Sequence, residues 1–358
     1  MRQANQQQTS NNTLNPTKRI EYIDALRGFT MFLVVFQHIA SYCWQIDEKG
    51  ISIHDYMMQI RMPMFFFISG FVLYKSSVVW DCKQVTSFFR KKIPVQLISP
   101  FIFFLLYLHI HQFSLADSVI KNFKHGYWFT FVLFEFYCFY AIIRFFFRNK
   151  RSWILLLCLG GLLYFIVSIP LIYDNIPLPK NVKGFLSMIH WKYFLFFVLG
   201  TIVKEHFHQV EKLLDSKWLL PICISIYILG NGFHDVIPIH KILFDLTITL
   251  SGLVVLFSFF RINQLNLSKG TIAGRTLQYI GRHTLDIYLI HFFLIPWQLN
   301  YITVFLDHPM PIIEATVSLI IAGIIIAGCL LIGNIIRLSP FLAHWVFGAK
   351  YPEKRNAL

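Results

Sequence analysis

The sequence predicts an all-α membrane protein, a polytopic bundle of about ten transmembrane helices with both termini in the cytoplasm. The first observation is composition: 56% of the 358 residues are hydrophobic and 14% are charged, and the mean hydropathy is +0.57. A soluble domain could not bury that much apolar surface. The second is that hydrophobic runs recur at about the twenty-residue length that a helix needs to cross a bilayer. The third is that short alternating segments are absent, which leaves helices as the spanning form.

Ten hydrophobic spans make up the predicted bundle, and the seventh is the shortest. Clusters of Lys and Arg separate them, and every second connection is richer in positive charge than its neighbours. That regular alternation independently supports an even number of spans. The spans are 22–43, 57–75, 90–110, 127–147, 152–173, 186–204, 218–233, 241–260, 279–302 and 311–337.

Positive charge sets the predicted orientation, because cytoplasmic flanks of membrane helices are enriched in Lys and Arg. The connections with few positive charges hold only Lys49, Lys121 with Lys124, Lys180 with Lys183, and Lys241, so we expect these connections on the outer side of the membrane. The rich flanks are expected in the cytoplasm and include Lys18, Arg19, Lys75, Lys83, Arg90, Lys91, Lys92, Arg148, Lys150, Arg151, Lys204, Lys212, Lys217, Arg261, Lys269, Arg275, Arg282, Lys350, Lys354 and Arg355.

Three segments follow from this pattern. Residues 1–18 are rich in Gln and Asn, and we expect them to form a disordered polar tail rather than a cleavable signal peptide. Residues 19–340 are predicted to form the transmembrane domain, and 341–358 a short basic cytoplasmic tail. The net charge of +14 does not indicate nucleic-acid binding, because the basic residues lie in topogenic clusters. Six scattered cysteines with no CxxC, and no Cys/His spacing suited to zinc, predict no metal site.

The first span carries ionisable groups that an ordinary anchor would lack. Arg27 and His38 are eleven residues apart, so they lie within about 20° of one helix face and about 16 Å apart along its axis. Asp24 and Ser41 fall near the same stripe. Ionisable groups at such depth are costly and usually line a cavity or pathway. The alternative is structural: an Asp24–Arg27 pair at the helix mouth plus one hydrogen-bonded histidine.

The second and third spans add further candidates. Arg61 lies near the outer end of the second span, and Ser69-Gly70 forms a small-residue notch where another helix can approach closely. Before the third span, Arg90, Lys91 and Lys92 serve equally well as a positive-inside signal or as a seat for a polyanionic phosphate ligand.

The fourth and ninth spans carry polar groups at depth. Trp128 suits the outer interfacial belt, and the deeper Glu135 requires either an internal partner or a cavity. Thr284, Tyr288 and His291 share one face of the ninth span. His38 and His291 lie at similar depth, so they can face a common cavity.

These residues together resemble the acyltransferase 3 family, bacterial integral-membrane O-acyltransferases that modify cell-envelope and exported sugars. The resemblance is ordered and spans about residues 20–300, with ten helices as the family has, and it is to the stand-alone members that lack an extracytoplasmic esterase-like domain. It rests on Tyr22-Ile-Asp24-Ala-Leu-Arg27-Gly28 with the spacing to His38, Met62-Pro63-Met-Phe65-Phe-Phe-Ile-Ser69-Gly70-Phe71, Tyr127-Trp128-Phe129, Tyr193-Phe-Leu-Phe-Phe-Val-Leu-Gly200 and Gly281-Arg-His-Thr284-Leu-Asp286-Ile-Tyr288-Leu-Ile-His291.

The resemblance implies transfer of an acyl group, most often acetyl, from cytoplasmic acyl-CoA to a carbohydrate hydroxyl on the outer side of the bacterial inner membrane. It carries the family's functional pair to Arg27 and His38, with His38 as general base or acyl carrier. Arg27, Arg90, Lys91 and Lys92 are then candidates to bind acyl-CoA, although the Arg-x-x-Arg of many members is absent here. Glu135 and His291 are further catalytic candidates, and Arg61, Trp128 and Tyr288 are substrate candidates. Asp24, Ser69 and Gly70 belong to the motifs.

Two other classes compete with the enzyme. A transporter or flippase of a sugar or lipid-linked substrate would use Arg27, His38 and Glu135 as its translocation path, but the sequence has no visible inverted repeat. A non-catalytic sensor explains the membrane anchors but not the deep polar stripe. No phosphate-binding loop supports an ATP-driven pump. The acceptor, the acyl chain length and the oligomeric state are not encoded in any motif.

Overall fold

The computed structural model describes residues 20–43, 53–147, 152–232, 241–296 and 311–348, and every regular element in these ranges is helical. The predicted tail 1–18, the end of the predicted ninth span at 297–302 and the chain after 348 lie outside the described residues. So do several of the flanking basic residues, namely Lys18, Arg19, Lys49, Arg148, Lys150, Arg151, Lys350, Lys354 and Arg355.

Seventeen α-helices follow one another through these ranges, together with one π-turn and two short 3-10 turns. The first half contains α1 Glu21–Cys43, α2 Ile53–Leu73, α3 Cys82–Ile93, the π-turn Pro94–Ile98, α4 Ser99–Ile110, α5 Leu115–Val119, the turn Lys124–Gly126, α6 Trp128–Phe146, α7 Ser152–Ser168 and α8 Pro170–Asp174. The second half contains α9 Lys180–Phe185, the turn Met188–Tyr193, α10 Phe194–Glu205, α11 Phe207–Leu214, α12 Leu219–Gly232, α13 Lys241–Ile262, α14 Ile272–Arg282, α15 Thr284–Leu294, α16 Pro311–Arg337 and α17 Pro340–Phe347.

The all-helical, polytopic class predicted from the sequence is confirmed, while the count of ten spans stays a prediction. In the described residues five helical segments are long and apolar enough to cross a bilayer, and six if the bent pair α11 and α12 is one span. The predicted fifth, sixth and ninth spans are each interrupted. Pro170 begins a new helix after α7, the sixth span starts as a 3-10 turn, and His283 separates α14 from α15.

α1 is the central helix of the bundle, with most of its apolar stretch buried, and it packs against α2, α13, α14, α15 and α16. Its approach to α14 depends on two glycines. A Cβ added at Gly28 would overlap the carbonyl oxygen of Leu277, and one at Gly281 would overlap the carbonyl oxygen of Asp24. The two backbones therefore touch directly, which fixes α1 relative to the helix pair α14 and α15.

α2 and α10 make a second contact of the same kind. A Cβ at Gly70 would overlap the carbonyl oxygen of Phe197, and one at Gly200 would overlap that of Phe67. Small residues allow such close approach in membranes, where packing replaces the hydrophobic effect between helices. The notch at Ser69-Gly70 is thus the place where α10 packs against α2.

The π-turn between α3 and α4 has an origin in the sequence. Pro94 and Pro100 have no N–H, so neither can donate the hydrogen bond that an α-helix requires at its position. The chain instead closes a wider turn, in which the backbone N–H of Ser99 donates to the carbonyl oxygen of Pro94 and the Ser99 hydroxyl bonds the same oxygen at 3.0 Å. α3 and α4 therefore continue one another across a local widening of the helix.

The first seven residues of the predicted C-terminal tail, 341–347, belong to helix α17, which begins at Pro340 with a Ser339 cap. Its Phe347 is buried and stacks on Phe103 of α4, with ring centroids 6.5 Å apart. The guanidinium of Arg337 lies 4.5 Å from the Phe347 ring centroid. This end of the described chain is therefore packed against the π-turn and α4.

Candidate functional site

A cavity of about 940 Å³ lies between α1, α2, α3, the π-turn, the beginning of α6 and α15. Its volume is in the upper part of the range for small-molecule and cofactor sites. Apolar and aromatic side chains form most of its wall, and the polar groups lie at separate positions along it. Those positions divide the cavity into a basic mouth, a histidine region and an aromatic region.

The basic mouth is formed by Lys75, Lys91 and Lys92, together with Gln84 and Ser87 of α3. Lys75 and Lys91 are exposed, and Lys92 is half-buried. The Lys92 ammonium lies 4.7 Å from the ring centroid of Tyr137 and donates to its hydroxyl at 3.4 Å. These contacts hold one cation at the cavity entrance and leave two in solvent.

α1 supplies one continuous face to the cavity. The face begins with Arg27 and continues through Met31, Val34, His38 and Ser41. The steps of four, three, four and three residues are those of a single helix face, so the stripe expected from the sequence lines a cavity. Arg27 and His38 are both half-buried, whereas most neighbouring α1 residues are fully buried.

His38 and His291 stack in the histidine region. Their ring centroids are 5.4 Å apart, with 29° between the planes. His291 is fully buried, and its Nδ1 lies 2.9 Å from the carbonyl oxygens of Ile287 and Tyr288. Carbonyls only accept, so Nδ1 carries the proton. The unprotonated Nε2 has no hydrogen-bond partner among the described residues.

The wall beside the histidines is polar on two sides. Arg61 of α2 and Tyr288 of α15 both line the cavity. The Tyr288 hydroxyl donates to the Gly126 carbonyl oxygen at 3.0 Å, and a Cβ at Gly126 would overlap the ring of Phe292. That ring is 5.0 Å from the His38 ring, centroid to centroid. The turn before α6 therefore packs directly against the histidine region.

The aromatic region is formed by Phe123, Trp128, His190 and Tyr193. Trp128 and His190 stack almost in parallel, with centroids 3.6 Å apart and 12° between planes. His190 is buried, and its Nε2 has no hydrogen-bond partner among the described residues. The exposed ring of Phe123 packs edge-on against His190 at 4.9 Å.

The comparison with protein families decides the identity. A family model described as the acyltransferase 3 "Acyltransferase domain" matches residues 20–334, nearly the whole chain. The chain belongs to the acyltransferase 3 family. No curated protein and no solved structure matches it. The family and the apolar helices together make it an integral membrane protein with acyltransferase activity in general.

The acyltransferase 3 chain brings together most of the residues proposed from its sequence. Arg27, His38, Arg61, Lys91 and Lys92 line one cavity, and so do Ser69, Trp128 and Tyr288. His291 is not part of the cavity wall, but its ring stacks on that of His38. Arg90 is exposed and is not part of the cavity wall, and neither are the buried Asp24 and the packing residue Gly70. Their roles in binding or chemistry stay predictions.

Glu135 of this acyltransferase 3 chain lies away from the cavity wall. Its Oε2 accepts a hydrogen bond of 2.7 Å from Nε1 of Trp191. Lys124 is nearby, in the connection before α6, and donates to the carbonyl oxygen of Gly184 at 2.9 Å and to the Ser187 hydroxyl at 2.6 Å. Burial lowers the pKa of Lys124 to about 8, although the Glu135 carboxylate acts in the opposite direction. Glu135 therefore belongs to a polar cluster that joins α6 to the connection before α10.

His190 and Gln96 are among the cavity residues of the acyltransferase 3 chain that were not predicted from its sequence. The signal for Gln96 is the pair Pro94 and Pro100, which marks an irregular turn, and π-turns occur frequently at functional sites. No local pattern identifies His190, because its stacking partner Trp128 is 62 positions away in the chain.

Proposed function

We propose that the chain is a membrane O-acyltransferase that moves an acyl group, most simply acetyl, from cytoplasmic acyl-CoA to a hydroxyl of a carbohydrate in the cell envelope or destined for export. The observation that carries the proposal is that one cavity joins a basic mouth to His38. The basic mouth suits a polyanionic acyl donor, and His38 provides the base that acyl transfer to a hydroxyl needs. The bacterial inner membrane is the proposed location.

The donor's phosphates bind at the basic mouth, where Lys91 and Lys92 provide charge-assisted hydrogen bonds. Arg27 is the next cation along the α1 face and guides the acyl arm inward. The thioester then lies beside His38. This order follows the chemistry of an acyl-CoA, which is anionic at one end and reactive at the other.

The chemical step uses His38 as general base. Its imidazole takes the proton of the acceptor hydroxyl, the hydroxyl oxygen attacks the thioester carbonyl, and the coenzyme A thiolate leaves and receives the proton. Alternatively, His38 attacks the thioester first and expels the coenzyme A thiolate. The acceptor hydroxyl then attacks the acyl-imidazole, which frees His38, and the hydroxyl proton goes to the thiolate. In both routes the carbonyl oxygen gains negative charge, which Arg61 is placed to stabilise from the cavity wall.

The acceptor belongs in the aromatic region on the other side of His38. Aromatic rings suit the apolar faces of a sugar, and Trp128 provides one there. Tyr288, beside the histidines, adds a second ring and a hydroxyl between this region and His38. His291 is buried outside the cavity wall and positions the His38 ring by stacking on it. Acyl-CoA and a carbohydrate are therefore the two proposed partners, and no metal takes part in the proposed step.

The test uses proteoliposomes with radiolabelled acetyl-CoA on the side of the basic mouth and a cell-envelope extract as acceptor. His38→Ala should abolish label transfer, while His208→Ala, a change at an exposed histidine outside the cavity, should leave it unchanged. Both variants must keep the wild-type melting temperature. Intact acetyl-CoA and no transfer by the wild type, across several donors and extracts, would favour the transporter or flippase and make the Arg27–His38 stripe a translocation path.

A further inference from the structure

Gln96 is a buried polar side chain for which the fold provides no complete set of partners. It is the central residue of the π-turn Pro94–Ile98, and only 9% of its surface is exposed. Its Oε1 has no hydrogen-bond partner among the described residues. A buried amide oxygen without a donor costs about 1–3 kcal/mol. We therefore expect a bound ligand to donate the hydrogen bond that this oxygen lacks.

The position of Gln96 directs it to the cavity. Val95 and Gln96 both line the cavity wall, and the wider π-turn rotates them relative to the α-helix on either side. π-turns of this kind occur frequently at functional sites. Gln96 is four residues beyond Lys92, so it lies about 6 Å further along the helix on the same side. It therefore lies between the basic mouth and the apolar interior.

The order of polar groups along this wall matches the order of groups in an acyl-CoA. From its diphosphate inward, the donor carries a flexible arm with two secondary amides and then the thioester. Cations at the mouth match the diphosphate, and His38 matches the thioester. A secondary amide leaving water needs both a donor and an acceptor. A glutamine side chain offers both, whichever way its amide is turned.

We infer that Gln96 is a binding residue for the pantetheine arm of acyl-CoA and hydrogen-bonds the secondary amide nearer the diphosphate. The inference rests on the proposed function, because it takes acyl-CoA as the donor. It adds a recognition point between the cations and the reacting carbonyl. The basic mouth alone recognises any polyphosphate, whereas Gln96 makes the site selective for a ligand with an amide at this distance.

A binding measurement tests the inference without turnover. Gln96→Met keeps the length of the side chain but removes its strong acceptor and its donor. In full-length protein purified in detergent, calorimetry with CoA and with ADP, which has the diphosphate but no pantetheine arm, should separate the two contributions. We expect Gln96→Met to weaken CoA binding about tenfold, the factor for about 1.4 kcal/mol, and to leave ADP binding unchanged.

A kinetic series locates the contact along the arm. Acetyl-pantetheine has both amides, while S-acetyl-N-acetylcysteamine has only the amide next to the thioester. Gln96→Met should raise KM for acetyl-CoA and acetyl-pantetheine by similar factors, with kcat little changed, and should not affect the shorter donor. Gln84→Met, at the half-buried glutamine of the basic mouth, is the matched control and should not discriminate between these two truncated donors.

The outcomes separate this inference from the proposed function. If the wild type binds and uses acetyl-CoA but Gln96→Met loses CoA and ADP binding equally, or loses all donors equally, Gln96 has only a structural role and the inference is wrong. An unchanged CoA affinity in a variant with normal melting temperature also overturns it. If the wild type binds no CoA at all, the proposed function is wrong, and the inference about Gln96 is wrong as well because it depends on acyl-CoA as the donor.

Discussion

At the scale of the residue, Glu135 and His38 show that two deep ionisable side chains can have different surroundings. His38 lines the cavity, whereas Glu135 accepts a 2.7 Å hydrogen bond from Trp191 away from it. An ionisable group in the membrane must have an internal partner or an aqueous cavity. Glu135 has the first, together with the nearby Lys124, and His38 has the second. The geometry therefore favours a structural role for Glu135.

Glu135→Gln tests that role, because the amide oxygen still accepts from Trp191 while the charge is lost. We expect label transfer within about twofold of wild type, since general acid–base groups contribute about a hundredfold or more. Glu135→Leu removes the acceptor and leaves the N–H of the half-buried Trp191 indole without its partner. It should lower the melting temperature, while the residual activity per folded molecule stays similar. A hundredfold loss of kcat in a stable Glu135→Gln would instead assign the carboxylate to catalysis.

The residue scale also shows what sequence reasoning can reach. Arg27 and His38 share a helix, so their common face follows from their spacing alone. His38 stacks on His291 only because α1 and α15 are neighbours. The similar depth of the two histidines in their spans is compatible with that contact but does not predict it. Gln96 and the partner of Glu135 depend on an irregular turn and on a contact between distant segments. No periodicity in the chain encodes either.

At the scale of the element, backbone contact between helices makes Gly28 a sharp test of the fold. Gly28→Ala places a Cβ on the carbonyl oxygen of Leu277, and we expect a destabilisation of about 3 kcal/mol, the upper end for overpacking. Gly161→Ala is the matched control in α7, because its added Cβ meets no atom within 4 Å. That change should be neutral or stabilise by about 0.5–1 kcal/mol through helix propensity. Melting temperatures in detergent compare the two, and equal values would contradict the close packing of α1 and α14.

A buried ion pair joins α15 to α16 and offers a second test. Asp286 is 2% exposed, and Arg337, about a third exposed, approaches it at 2.7 Å and 2.9 Å through Nη2 and at 3.0 Å through Nε. His283 lies 2.9 Å from the same carboxylate. Arg337→Ala leaves the buried carboxylate with one partner, so we expect a loss of about 2 kcal/mol, below the range for a fully buried pair.

The double variant Arg337→Ala with Asp286→Asn removes the stranded charge. It should be more stable than Arg337→Ala alone. Wild type, Arg337→Ala, Asp286→Asn and the double variant form a cycle, and the departure of the double variant from the sum of the two single changes measures the interaction between the two residues. If the double variant instead loses the sum of the two single changes, the carboxylate is not the reason for the loss. Urea or thermal unfolding in one detergent gives all four values.

The helices could be predicted from the sequence where the length of an uninterrupted hydrophobic run sets their bounds. The structure agrees with the sequence to within a few residues for α1, α6, α13 and α16. It differs where a local feature interrupts a hydrophobic run, as at Pro170 and at His283. α17 could not be predicted, because a short apolar helix beside basic residues has the same composition as a tail. Its packing on Phe103 comes from tertiary contact.

At the scale of the whole molecule, the cavity has a direction that the proposed function requires. The exposed lysines of the basic mouth lie at the end where the positive-inside rule predicts the cytoplasm, and acyl-CoA is expected on that side. The cavity therefore links the proposed donor side to the aromatic region through His38. Transfer from a cytoplasmic donor to an acceptor on the outer side requires that the basic mouth and the connection around α5 face opposite sides of the membrane.

Cysteine labelling tests this orientation directly. Cys82 is exposed at the beginning of α3, beside the basic mouth, and Asp117 is exposed in α5. In a Cys158→Ser background, a membrane-impermeant maleimide should label Cys82 only after spheroplasts are permeabilised. In the same background with Cys82→Ser, Asp117→Cys should be labelled in intact spheroplasts. The reverse pattern would place the basic mouth outside the cell, where a cytoplasmic acyl-CoA cannot reach it, and the direction of transfer proposed here would be wrong.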